Sequence, residues 1–159
     1  MRNTLIDSVI NNFAEQHRIC EAMADLATEQ LVLLKKPQLT DVPAQVMDII
    51  AKRQRLLDDL QRLDTENRSR QEQALNELAI SEFTLSQLQA RLDPEQYGDL
   101  REILNKLGAI LKSISETDRR NQLLMRDGLA QASKTGTKAS NKEAAGLYQQ
   151  VAEFNKKKL

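Results

Sequence analysis

The first part of the chain, from Thr4 to about Lys35, carries mostly apolar side chains at alternating spacings of three and four residues. This spacing places them on one face of a helix and predicts an amphipathic helix of about four heptads. The positions are Ile6, Ile10, Phe13, His17, Cys20, Ala24, Ala27, Leu31 and Leu34. The segment KKPQLTDVP then ends the pattern, with Pro37 as a stop and Pro43 as a new start. So short a connection predicts an antiparallel hairpin.

A second helix is predicted from about Val42. Its apolar positions are Val46, Ile49, Ile50, Leu56, Leu57, Leu60 and Leu63. No Gly or Pro lies between Pro43 and Pro94, so the helix can continue past Asn67 to Leu78, although its apolar face thins there. A helix of about 35 residues is roughly 50 Å long. The pattern therefore predicts an elongated molecule.

A shorter helix is predicted within AISEFTLSQLQARL, either as a separate element or as a continuation of the second helix after a kink near Ser81. Directly after it, Asp93, Pro94 and Gln96 form a helix start. Asp93 is suited to the N-cap, Pro94 to the first helical position, and Gln96 to a capping box in which its side chain reaches back to the cap. The boundary at Pro94 is the sharpest in the sequence.

The last long helix has the densest apolar face. Its seam runs through Leu100, Ile103, Leu107, Ile110, Ile114, Thr117, Asn121 and Leu124, and is widened by Leu104, Leu111, Asp118 and Met125. Within ISETDRRNQLL this seam turns polar, at Thr117, Asp118 and Asn121. Two interpretations stay open. Either the helix projects beyond the core and these residues are exposed to solvent, or Asn121 lies in a groove and fixes the register of a bound partner helix.

The fold class expected is all-α: an elongated antiparallel helical bundle of three long helices plus one shorter helix, with a flexible C-terminal tail. The bundle domain is expected over residues 1–130. The tail, 131–159, begins with small, polar and Lys-rich sequence, QASKTGTKASNKEAAG. A short amphipathic segment follows at about 143–155, since Leu147, Val151 and Phe154 keep the helical spacing.

Charge and chemistry exclude several classes of function. The 23 basic and 23 acidic residues give a net charge of zero, which argues against nucleic acid, and AKRQR and NRSRQ are expected on solvated helix faces. No apolar run is long enough for membrane insertion, and MRNTLIDSVINN does not resemble a signal peptide, so a cytoplasmic protein is expected. One Cys and one His, Cys20 and His17, are too few for a zinc site. No enzyme, cofactor or metal is expected.

Three segments together resemble a known family. They are the hairpin formed by TEQLVLLKK and VPAQVMDIIAKRQRLLDDLQRL, the segment ILKSISETDRRNQLL, and the apolar patch AAGLYQQV in the tail. This layout is similar to that of FlgN-type flagellar export chaperones of the type III secretion system. The chain departs from the family where a first Asn is usual, because it carries Thr117 and Asp118 there, and only Asn121 matches.

The resemblance implies a cytoplasmic chaperone that binds the C-terminal helical segments of hook-associated proteins, prevents premature assembly and delivers them to the export gate. The partner-binding residues expected on the last helix are Leu104, Leu107, Leu111, Ile114, Asn121 and Leu124. The tail residues Leu147, Tyr148 and Val151 are expected either to contact the export apparatus or to cover the groove. The alternative is a self-associating coiled-coil scaffold without an export client, and a homodimer stays open in either case.

Overall fold

A computed structural model describes residues 2–36 and 42–135. Within these ranges the secondary structure consists of four helices: α1 (Thr4–Lys35), α2 (Val42–Leu78), α3 (Leu85–Gln89) and α4 (Pro94–Thr135). The prediction of an all-α fold with three long helices and one shorter helix is confirmed. Helix α4 continues to Thr135, into the segment whose composition predicted a flexible tail, while the predicted amphipathic segment at 143–155 lies outside the described residues.

The chain divides into two compact units. Unit 1 combines Met1–Cys20 with Asp59–Ala109, and unit 2 combines Glu21–Asp58 with the chain from Ile110 onward. In unit 1, the Asn12 Nδ2 donates to the Leu63 carbonyl and the Asn3 Nδ2 to the Glu77 carboxylate, so α1 and α2 run antiparallel. In unit 2, α1 and α4 run parallel, because their contacts pair Ala27 with Asn121 and Gln30 with Met125. Each unit is thus a helical bundle, as predicted.

The core of each unit is mainly aliphatic. Buried residues of unit 1 include Ile6, Val9, Phe13, Leu60, Ala74, Leu88, Leu92, Leu100 and Leu107, and those of unit 2 include Met23, Ala27, Leu31, Val46, Ile49, Ile50, Leu57, Leu111 and Ile114. Burial of this apolar surface is the main stabilising contribution of each unit. In unit 2, Leu33, Leu34, Met47 and Met125 pack partly buried against Val46 and Ile50.

The buried line along α1 differs from the predicted seam at four positions. Ile10, His17, Ala24 and Leu34 are only half-buried. The fully buried line instead includes two glutamines, Gln16 and Gln30. Both amides have partners, since the Gln16 Nε2 donates to the Asn12 Oδ1 at 2.7 Å and the Gln30 Oε1 accepts from Arg53 at 2.9 Å. A pattern based on apolar residues misses such positions because it treats a glutamine as a surface residue.

Helix α2 ends in a left-handed turn at Ala79, whose φ is 54°. The Ile80 N–H donates to the Leu75 carbonyl at 3.1 Å, and the Ala79 N–H donates to the Asn76 carbonyl at 3.4 Å. These two bonds form a Schellman motif, in which glycine is the preferred residue at the left-handed position. The predicted break near Ser81 is therefore a helix end at Leu78, and the predicted shorter helix is reduced to the five residues of α3.

We expect Ala79→Gly to raise the free energy of unfolding by about 0.5–1 kcal/mol, because it removes the clash of a Cβ at positive φ. The matched control is Ala90→Gly, at a position with a right-handed φ of −74°. There the same exchange only adds freedom to the unfolded chain and should be destabilising. Chemical denaturation followed by circular dichroism measures both. Effects of the same sign at the two positions would contradict this account of the turn.

The predicted start of α4 is confirmed, but the predicted capping box is wrong. The Asp93 Oδ2 accepts a hydrogen bond from the Gln96 N–H at 3.3 Å, as an N-cap residue does. The Gln96 side chain does not reach back to Asp93. Its Oε1 accepts from the Asn3 N–H at 3.1 Å, and its Nε2 donates to the Asn3 carbonyl at 2.7 Å and to the Asp7 carboxylate at 2.9 Å. Gln96 therefore joins the start of α4 to the start of α1.

Candidate functional site

The six residues predicted to bind a partner all lie on α4, but most of them are covered. Leu107 is buried in unit 1, and Leu111, Ile114 and Asn121 are buried in unit 2. Leu104 and Leu124 are half-buried. A partner that does not separate the helices can therefore reach only Leu104 and Leu124 among them. The predicted tail residues Leu147, Tyr148 and Val151 lie outside the described residues.

The polar interruption of the α4 seam is occupied by a buried ion pair in unit 2. The Arg53 guanidinium donates to both carboxylate oxygens of Asp118, from Nη1 at 2.8 Å and from Nη2 at 2.6 Å. The side-chain exposure is 0% for Arg53 and 4% for Asp118. The same Nη1 also donates to the Gln30 Oε1. Because two parallel bonds match the planar fork of the guanidinium, this pair fixes the orientation of α4 against α2.

Asn121 lies beside this pair and is itself fully buried. Its Nδ2 donates to the Ala27 carbonyl at 3.0 Å and to the Asp118 Oδ1 at 3.4 Å. Its Oδ1 is buried without a hydrogen-bond partner among the described residues. A buried Asn in a helix seam sets register at some cost in stability. Asn121 therefore sets the register of α4 against α1 within unit 2.

These contacts correct two interpretations of the sequence. Arg53, in AKRQR, is not on a solvated helix face, because the Asp118 carboxylate compensates its charge inside unit 2. The interpretation that α4 projects into solvent here is also wrong for Asp118 and Asn121, because both are buried. Thr117 is half-buried, and its hydroxyl donates to the Ser113 carbonyl. The other interpretation, in which Asn121 fixes the register of a bound partner helix, stays a prediction, and within the chain Asn121 donates to the Ala27 carbonyl of α1.

A second polar cluster surrounds the start of α1 in unit 1. The Arg2 guanidinium donates to Asp7 at 2.8 Å and to Asp99 at 3.0 Å, next to the Gln96 bonds. Arg2, and after it Gln96, lowers the pKa of the Asp7 carboxyl, since both donate hydrogen bonds to its ionised form. The resulting stabilisation is present above the ordinary pKa of an aspartate and is lost as the pH falls through the lowered value. This cluster is structural.

Unit 2 also exposes large apolar side chains. Val32 on α1 is 53% exposed and Leu123 on α4 is 56% exposed. Leu123 directly precedes the predicted site residue Leu124. It was not predicted as a site residue, because the three-four spacing places Leu123 outside the seam. A cleft of about 690 Å³ lies between α1 and α2 in this unit, with Leu33 and Ile49 among its lining residues and Lys36, Asp48 and Lys52 as charged residues. Leu123 and Leu124 extend the candidate site outward from the buried seam.

The single Cys and the single His of the sequence both lie on α1 rather than on α4. Cys20 is buried and His17 half-buried in unit 1. In the described part of the chain, no three side chains among His, Cys, Asp and Glu come together as metal ligands. None of the helices in that part is long and apolar enough to cross a membrane. What the arrangement offers is apolar helix surface, which binds other helices.

Comparison with known proteins identifies the family. The family model described as FlgN protein matches residues 1–155, which is nearly the whole chain. Neither the curated proteins nor the solved structures gave a significant match. The chain belongs to the FlgN family, whose general role is that of a flagellar export chaperone rather than an enzyme.

Proposed function

We propose that this FlgN-family protein is a cytoplasmic chaperone for hook-associated proteins of the flagellum. In this role it binds their C-terminal helical segments, prevents premature assembly and delivers them to the export gate. The family match over residues 1–155 is the observation that carries the proposal. It also accounts for a chain whose long helices expose apolar side chains, because a client helix that assembles into a filament junction has an apolar face that must be covered beforehand.

We propose that the client helix binds α4 in unit 2. Leu123 and Leu124 offer the first contact, since the former is exposed and the latter half-buried. Leu111, Ile114 and Asn121 join the interface only where α4 separates from its neighbours, because all three are buried in the free chain. Leu104 and Leu107 extend the same helix face in unit 1. The tail residues Leu147, Tyr148 and Val151 are proposed to contact the export apparatus.

A titration with a cognate client segment tests this surface. The ligand is the C-terminal helical segment of a hook-associated protein from the same genome, and isothermal calorimetry gives its affinity. Leu123→Asp should weaken binding by about tenfold or more, because it places a charge in an apolar contact without disturbing a buried residue. The matched control is Ser115→Asp, also on an exposed position of α4 in unit 2, which should bind like the unmodified chain.

Equal affinity of both variants would contradict the proposed surface while leaving the client open. Absence of binding to any cognate segment would contradict the proposed function. The self-associating scaffold makes a different prediction, namely a tight dimer that no client segment opens, and light scattering with and without the segment separates the two functions.

A further inference from the structure

The second half of α2 is poorly anchored in unit 1. Between Leu63 and Leu78 its buried side chains are Asn67 and Ala74, one polar and one small. Arg70, Gln71 and Leu75 are only half-buried. Apolar burial is the main force that holds one helix on another, and it grows with the area buried. This stretch of α2 therefore adheres to unit 1 with few fully buried apolar side chains.

Asn67 is the weakest point of this stretch. Its side chain is 0% exposed, and neither its Nδ2 nor its Oδ1 has a hydrogen-bond partner among the described residues. A buried carboxamide without partners loses its hydration and gains nothing in return. This cost of burial favours any state in which the Asn67 side chain is hydrated. A leucine at position 67 would instead favour the closed state, in which its side chain is buried.

A cleft lies beside the same stretch of α2 in unit 1. It has a volume of about 580 Å³ and separates the first turns of α1, lined by residues that include Thr4, Ser8 and Asn11, from Leu63, Glu66 and Arg70 of α2. The cleft is open to solvent, so this side of α2 does not pack against α1.

We propose that residues 63–78 of α2 form a releasable segment, which detaches from unit 1 in a local opening while the rest of the unit stays folded. Local openings of this kind occur where buried apolar contacts are few. The detached stretch has about 16 residues and a mostly polar sequence, so it does not persist as an isolated helix. Release exposes the side chains of Asn67 and Ala74, which are buried in the closed state.

Native-state hydrogen exchange of the full chain, without any client, tests the segment. Amides of residues 65–78 should exchange at least tenfold faster than those around Ile6–Phe13 of α1 and Leu100–Leu107 of α4, which corresponds to an opening free energy lower by about 1.4 kcal/mol. Equal protection in all three stretches would overturn the proposal. This comparison needs no substitution.

Asn67→Leu tests the role assigned to the buried carboxamide. It should slow exchange of residues 65–78 by at least tenfold and leave the exchange of α4 nearly unchanged. The control is Asn76→Leu, the same exchange at an exposed position of the same segment. Because Asn76→Leu changes only helix propensity, it should slow exchange by less than about threefold. Equal slowing by both variants would overturn the role of Asn67.

Discussion

Replacing Asp118 with leucine should lower the free energy of unfolding by about 3–5 kcal/mol, the largest effect expected from a single exchange in this chain. The reason is the charge left behind, since the fully buried Arg53 guanidinium would lose the carboxylate that compensates its charge. Removing both charges should behave differently. The double variant Arg53→Met with Asp118→Leu should recover most of the loss, because an apolar pair of similar volume needs no compensation.

The control for these variants is an exposed ion pair on α2, the helix that carries Arg53. The Lys52 Nζ lies 3.1 Å from the Asp48 Oδ2, with both side chains more than half exposed. Asp48→Leu should change the free energy of unfolding by less than about 1 kcal/mol, because such pairs contribute little in water. Urea denaturation of the three variants and the unmodified chain provides the numbers. A loss below 1 kcal/mol for Asp118→Leu would mean that Arg53 reaches water, contrary to the burial described above.

Replacing Gln96 with leucine should lower the free energy of unfolding by about 1–3 kcal/mol. The exchange removes three hydrogen bonds and leaves the Asn3 N–H without its Gln96 partner, whereas the Asn3 carbonyl keeps the Asp7 N–H at 3.0 Å. It should also raise the pKa of Asp7, since Gln96 is one of the two donors that lower it. Thermal denaturation and an NMR titration of the Asp7 carboxyl measure the two effects.

Gln73→Leu is the control for Gln96→Leu, because Gln73 is exposed on α2 in the same unit. It should leave both the stability and the Asp7 titration nearly unchanged. The competing explanation of Gln96, a capping box with Asp93, predicts a smaller loss and no change at Asp7. An unaltered Asp7 titration in Gln96→Leu would therefore favour the capping box over the bonds to α1.

Local patterns in the sequence were sufficient to predict the helices. Three-four spacing located α1, α2 and α4, and Asp93 with Pro94 located the start of α4 to the residue. Such features depend on neighbours within a turn or two, which the sequence states directly. The left-handed end of α2 at Ala79 was not predictable, because alanine rarely adopts that conformation and no glycine marks the turn.

The burial of polar residues could not be predicted, because it depends on partners far away in the chain. Arg53 and Asp118 are 65 residues apart, and Gln96 meets Asn3 across 93 residues. Rules based on neighbouring residues predict that a charged or amide side chain lies on the surface. Such a side chain is buried only where a distant residue supplies its hydrogen-bond or charge partner. Asn67 is a different case, since its buried side chain has no hydrogen-bond partner within residues 2–36 and 42–135.

The apolar face of α4 was predicted, but its burial was not. The spacing placed Leu107, Leu111 and Ile114 on the apolar face of α4, which is where they lie. It could not indicate that α1 and α2 already cover this face, because the pattern of a core helix and that of a partner-binding helix are the same. Exposed Leu123 was not predicted as a site residue, because a single apolar residue outside the seam does not contribute to the three-four spacing.

The central claim is that the chain is a chaperone for the C-terminal segments of hook-associated proteins. The most direct test mixes it with a full-length cognate hook-associated protein, and in parallel with the same protein lacking its C-terminal helical segment, followed by size-exclusion chromatography with light scattering. We expect a defined complex with the full-length hook-associated protein and no complex with the truncated form. Equal binding of both forms, or binding of neither, would contradict it.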